Sequence, residues 1–143
     1  MTPAMAADET FHEEARRLAT RILDIANRFD TDGLEGLREI FADDYVLHSR
    51  TGDVIGIDAY VERIAVNLGG LPGMRFVMDD LVVQGDRFAM RYHWTAPYQD
   101  GEIGSEALEI NRVADGKVAE TWNYQDRLSL MVQLGLAVDP LAS

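Results

Sequence analysis

From residue 11 onward the apolar positions recur every three or four residues. Phe11, Ala15, Leu18, Ile22, Ile25, Ala26 and Phe29 fall on one stripe, which predicts a long amphipathic first helix, with Thr10 and Glu13 at capping-box spacing near its start. Asp30-Thr31-Asp32-Gly33 ends it, and Leu34, Leu37, Ile40 and Phe41 form the inner face of a short second helix. Tyr45–His48 reads as a short strand and Thr51-Gly52-Asp53 as a turn. Ile57, Tyr60, Val61, Ile64, Ala65 and Leu68 mark a third helix, stopped by Gly69-Gly70 and Pro72. From Met74 the period changes to two. Met74, Phe76 and Met78 alternate with polar neighbours, and the alternation slips at Asp79-Asp80, as it does at a β-bulge. Gly85-Asp86 turns the chain into Phe88–Thr95, Pro97–Gly101 is a loop, and Ile103–Val113 runs to the Asp115-Gly116 turn and a last strand, Lys117–Asp126. Leu128, Leu130, Met131 and Leu134 predict a short final helix with Gly135 as its C-terminal cap. Helices first and long antiparallel strands afterwards make an α+β domain, and a curved sheet wrapped on helices leaves an internal pocket at its open end.

At 143 residues the chain makes one domain. Residues 1–9 are expected to form a flexible N-terminus, residues 10–136 the folded domain and residues 137–143 a C-terminal tail. There is no cysteine, which removes disulfides, thiolate metal sites and a thiol nucleophile. The net charge of −12 repels nucleic acid and anionic membranes. The first ten residues lack the basic start and apolar run of a signal peptide, and no stretch reaches transmembrane length, so a cytoplasmic protein is expected. The three histidines lie on separate elements without metal-ligand spacing, so no metal is expected. No glycine-rich phosphate loop is present.

The candidate chemistry centres on Asp115–Asp126. Strict alternation from Lys117 would place Val118, Glu120, Trp122, Tyr124 and Asp126 on one face, and Ala119, Thr121, Asn123 and Gln125 on the other. A carboxylate beside buried rings loses hydration, and its pKa rises toward the range a general acid or base needs. Asp126 is the candidate centre, although spacing alone favours a helix cap ahead of Arg127. His48 could donate to a developing oxyanion or hold Asp126, and is equally well a half-buried strand residue. Tyr45, Tyr92, Trp94, Trp122 and Tyr124 are candidate pocket walls suited to a flat apolar ligand. Glu109 and Asn111 share a face of the preceding strand, and line a pocket only if that face is not the exposed one. Arg91 and His93 are alternative catalytic residues if the polar face of Phe88–Thr95 lines the cavity. Amphipathy favours the aromatic face of Phe88, Met90, Tyr92 and Trp94 inside.

Several segments resemble the SnoaL-like proteins, a family that contains the polyketide ester cyclases. They are Phe41–His48, Leu71–Phe76 with Asp80-Leu81 and Gly85–Arg87, Ala114–Trp122, Asp126, and Leu128–Gly135, and together they cover about residues 10–136. The resemblance implies the cone-shaped fold of the nuclear transport factor 2-like superfamily, with a curved antiparallel sheet wrapped around N-terminal helices, and a homodimer. It implies cofactor-free acid/base chemistry, an aldol-type cyclisation or isomerisation of an apolar carbonyl compound, with Asp126 in the place of the family's general acid/base, His48 matching a family histidine and Trp122 the aromatic residue of its E-x-W element. Where many relatives carry paired histidines, this chain has Leu47-His48. The alternatives are an epoxide hydrolase or isomerase of the same fold, using Arg91 with Asp126, and a non-catalytic ligand-binding or dimerising domain. The expected partner is a small apolar or aromatic molecule.

Overall fold

The computed structural model describes residues 3–28 and 30–141. The elements run α1 (Pro3–Arg28), α2 (Thr31–Ile40), β1 (Phe41–Ser49), β2 (Gly52–Ile55), α3 (Ile57–Gly70), β3 (Arg75–Gln84), β4 (Arg87–Tyr98), β5 (Gly101–Ala114), β6 (Lys117–Gln125) and α4 (Arg127–Gln133). Helix α1 begins at Pro3, earlier than the Thr10–Glu13 spacing implied. Proline suits a first helical position and the following Ala-Met-Ala-Ala is strongly helix-forming. Met1 and Thr2 of the expected flexible segment, and Phe29 of the expected stripe, lie outside the described residues. Asp30 caps α2 by accepting from the Gly33 amide at 2.5 Å. Phe41 opens β1 instead of closing α2, and remains 2% exposed in the core.

The six strands pair in the order β2-β1-β6-β5-β4-β3. All neighbours are antiparallel except β1 and β6, which run parallel. The sheet curves around α1, α2 and α3, and the core lies between its concave face and those helices. Strand β2, unforeseen, pairs Val54 with Leu47 and covers the edge that β1 would otherwise expose. At the other edge the Asn27 side chain of α1 accepts from the Phe76 amide at 2.6 Å and donates to its carbonyl at 3.0 Å, standing in for a further strand.

Three local devices follow from sequence. The register slips between Met78 and Asp80, at the paired aspartates. Asp115 and Gly116 both hold positive φ, 53° and 77°, in the two-residue turn between β5 and β6. Gly135, at φ 74°, ends α4: its amide donates to the Val132 carbonyl and the Leu136 amide to the Met131 carbonyl.

A second slip was not legible and matters more. Val113 pairs with Val118, but Arg112 pairs with Glu120, so β6 carries one extra residue at Val118-Ala119. Continued without the slip, the register would set Trp122 opposite Glu109. With it, Glu109 faces Asn123, and every later side chain of β6 changes face. Val118, Thr121, Asn123 and Gln125 therefore point to the concave side, and Glu120, Trp122 and Tyr124 to the outer side.

Candidate functional site

A cavity of about 310 Å³ lies between the concave sheet face and the helices. Ile22, Ile25 and Ala26 of α1 and Tyr60, Ile64 and Leu68 of α3 form one wall. Met90, Tyr92 and Trp94 of β4 form the other, together with Glu109 of β5. Its more exposed lining residues, Asn67, Gln125 and Arg127, mark the open end. Helix α4 is fastened there because the Gln133 amide donates to the Gly104 carbonyl at 2.7 Å and accepts from the Gly104 amide at 2.8 Å.

Among the described residues Glu109 is the one acidic side chain of this lining, and it is only 9% exposed. Strand alternation brings it there: β4 pairs Met90 with Glu109, so the apolar face of β4 and the odd-numbered face of β5 look into the same space. Its two carboxyl oxygens are held separately. The Asn111 amide donates to Oε1 at 3.2 Å and the Asn123 amide to Oε2 at 2.9 Å. Asn111, fully buried, in turn accepts from the Thr121 hydroxyl at 2.6 Å. The Asn123 amide also reaches the Tyr92 hydroxyl oxygen at 3.3 Å, which leaves the Tyr92 O–H free to point elsewhere. Burial pushes the Glu109 pKa above the ordinary 4.5, and the Asn123 and Asn111 amides partly oppose that by favouring the ionised form. Burial, and then the charge of Glu109, push the Tyr92 phenol up. Among the described residues no group of three or more His, Asp or Glu is arranged to hold a metal ion.

The sequence-predicted residues separate into five places. Tyr92, Trp94 and Glu109 line the cavity. Asn111 lies directly behind Glu109. Tyr45, 1% exposed, sits in the core, where its ring meets Phe41 at 4.6 Å and Tyr60 at 4.7 Å. The remaining candidates lie elsewhere. Asp126 is exposed and caps α4, accepting from the Ser129 amide at 3.0 Å, so the expected placement among buried rings gives way to the capping geometry. Trp122 and Tyr124, expected beside it as pocket walls, are turned outward by the extra residue in β6, and Tyr124 is 64% exposed. His48 stacks on Trp122 with ring centres 5.4 Å apart, on that same outer face. Its Nε2 lies 2.6 Å from Glu120 and its Nδ1 3.0 Å from Asp53. Glu120, and secondarily Asp53, raise the His48 pKa, and His48 followed by Arg112 lowers that of Glu120. Arg91 and His93 also face outward: the His93 Nδ1 meets Asp79 at 2.7 Å, and Arg91 lies 3.9 Å from Asp79 and Asp80. His48 and Asp126 are thus not brought together, and Arg91 pairs with Asp79 and Asp80 on the outer face instead of with Asp126.

Sequence reasoning missed Tyr60, Asn67, Asn123, Gln125 and Arg127. A usable signal existed for Asn123 and Gln125. The face read as polar and external, Thr121-x-Asn123-x-Gln125, carries uncharged amides and a hydroxyl, a set that can be satisfied indoors.

Solved structures share this architecture. A proposed hydroxylase, AclR of Streptomyces galilaeus, superposes with a TM-score of 0.76 at 23% identity, over 89% of this chain and 88% of its own. A proposed polyketide cyclase of Bacillus cereus gives 0.76 at 27% identity, over 87% and 83%. A proposed SnoaL-like polyketide cyclase of Jannaschia gives 0.73 at 20% identity, over 90% and 94%. The fold is that of the nuclear transport factor 2-like superfamily, as the sequence resemblance implied. No curated protein matches the chain. The family model of the SnoaL-like domain matches residues 19–121, more than half of the sequence, and the chain therefore belongs to the SnoaL-like family.

Proposed function

We propose that this protein is a small-molecule enzyme performing cofactor-free acid/base chemistry on an apolar carbonyl compound, and that Glu109 is its acid/base. The observation that carries the reading is a carboxyl group with a raised pKa on the wall of an apolar cavity open at one end. A base works best with a pKa near the operating pH, and desolvation moves Glu109 in that direction. In the proposed reaction, ionised Glu109 takes a proton from the carbon next to the substrate carbonyl. The enolate oxygen accepts from the Tyr92 O–H, whose oxygen is already positioned by Asn123. In a cyclisation the enolate carbon attacks a second carbonyl of the same molecule, and Glu109 returns its proton to the new alkoxide. In an isomerisation the proton returns to a different carbon. The role expected of Asp126 passes to Glu109 in this reading, because Asp126 is committed to capping α4.

Proton exchange next to a carbonyl tests this without knowledge of the natural substrate. Tetralone in D₂O, followed by proton NMR, is expected to lose its α-protons faster with the protein than in buffer. Glu109→Gln is expected to remove the acceleration, and Asp126→Asn to keep it. Equal rates with wild type and Glu109→Gln would end the assignment.

The apolar lining also supports a second reading, a ligand-binding domain without turnover. Tight ligand binding with no exchange in any variant would favour it. The expected homodimer belongs to the same proposal. The outer sheet face exposes Leu108, Ile110 and Tyr124, an apolar surface that a second copy would cover.

A further inference from the structure

Resting on this cavity as the reaction site, we infer that the substrate carries an anionic group, a carboxylate, which Arg127 binds at the open end. Among the described residues, Arg127 is the one cationic side chain lining the cavity. Arg21, Arg28, Arg38, Arg87, Arg91 and Arg112 each have a carboxylate within reach. The Arg127 side chain has none among the described residues and makes no hydrogen bond to them. Among the described residues Arg16, Arg17, Arg50, Arg63, Arg75 and Lys117 also lack a paired carboxylate, and Arg127 differs from them in lining the cavity.

Its charge is not used by the local structure. Arg127 opens α4, where a cation has the wrong sign for the helix dipole. Its neighbour Asp126 is occupied by the Ser129 amide. A residue that breaks a local rule with no local compensation points to a partner outside the chain. A guanidinium presents a planar fork of donors that matches a carboxylate with two parallel hydrogen bonds. The amides of Gln125 and Asn67 line the same end and add neutral polar contacts. The apolar body then lies between Tyr60 and Trp94, with its reactive carbon toward Glu109. At about 310 Å³ the cavity falls at the small end of ligand pockets, sized for one or two fused rings with a short acidic arm. The net charge of −12 opposes an approaching anion. At physiological salt that field decays over about 8 Å, so contact with the guanidinium dominates once the ligand arrives.

The test compares naphthylacetate with its methyl ester by titration calorimetry. Wild type is expected to bind the acid roughly tenfold or more tightly than the ester, as a charge-assisted contact gives. Arg127→Gln is expected to abolish the preference by weakening the acid and leaving the ester unchanged, while Glu109→Gln retains it. Equal affinity of wild type for both compounds would overturn the inference and leave the cavity reading intact, as would an equal loss of both in Arg127→Gln. Binding of neither would overturn both.

Discussion

The two faces of the sheet each carry a glutamate, and the pair shows how location decides chemistry. Glu109 on the concave face is surrounded by apolar walls and neutral amides, and its pKa rises. Glu120 on the outer face, in the next strand, has the His48 ring at 2.6 Å and Arg112 at 3.2 Å, and its pKa falls. The aromatic residues divide in the same way. Tyr92 and Trp94 wall a cavity, whereas Trp122 stacks between His48 and, at 4.9 Å, the Arg87 guanidinium on the surface. A carboxylate paired with cations in water is a stable anion and a poor base. One held by amides in an apolar hollow is poised between its two states.

The largest effect should come from removing the inner carboxylate. Glu109→Gln is expected to slow proton exchange by about 10²–10⁴-fold, the usual worth of a general base. The same variant tests the linkage. Because the folded pKa of Glu109 is raised, its contribution to stability is fully present below the ordinary 4.5 and is lost as pH rises through the folded value. Urea unfolding across that window should show wild type losing stability relative to Glu109→Gln. Tyr92→Phe keeps the ring and removes the donor, and a fall of about 10²-fold in exchange rate is expected, as for loss of one oxyanion donor. An unchanged rate would remove Tyr92 from the mechanism.

Asn111→Ala should cost about 1–3 kcal/mol in urea unfolding, because it leaves the Thr121 hydroxyl and one Glu109 oxygen without their partner. Asp126→Ala should cost about 0.5–2 kcal/mol as a lost cap and reduce exchange far less than Glu109→Gln. The smallest effect belongs to the outer face, where an exposed pair contributes about 0–1 kcal/mol. The raised His48 pKa makes its contribution present below the ordinary 6.5 and lost as pH rises through the folded value. The lowered Glu120 pKa makes its contribution present above the ordinary 4.5 and lost as pH falls through the folded value. His48→Asn should flatten both dependences and leave exchange untouched. A large loss of exchange would place a catalytic group on the outer face and break the contrast.

Much of the architecture was legible because it is written in local rules. Helical stripes, the Asp115-Gly116 turn, the slip at Asp79-Asp80 and the Gly135 cap each depend on a few adjacent residues. The site was harder to read, for two reasons. The extra residue at Val118-Ala119 leaves no mark in composition, yet it exchanges the faces of Trp122 and Asn123. In β5 the outward Leu108 and Ile110 are more apolar than the inward Ala107, Glu109 and Asn111, so amphipathy alone points the wrong way. Pairing would have corrected it. Once the aromatic face of β4 is inside, the turn at Gln99-Asp100 sets Glu109 opposite Met90. Long-range register, more than local pattern, decides which carboxylate becomes chemical.

The most direct measurement is a carbon-13 NMR titration of the glutamate carboxyl resonances, with Glu109→Gln and Glu120→Gln used to assign the two signals. The Glu109 carboxyl is expected to titrate clearly above 4.5 and Glu120 below it. A Glu109 midpoint at or below 4.5 would mean that the cavity does not hold the carboxyl out of water, and the proposed base would be lost.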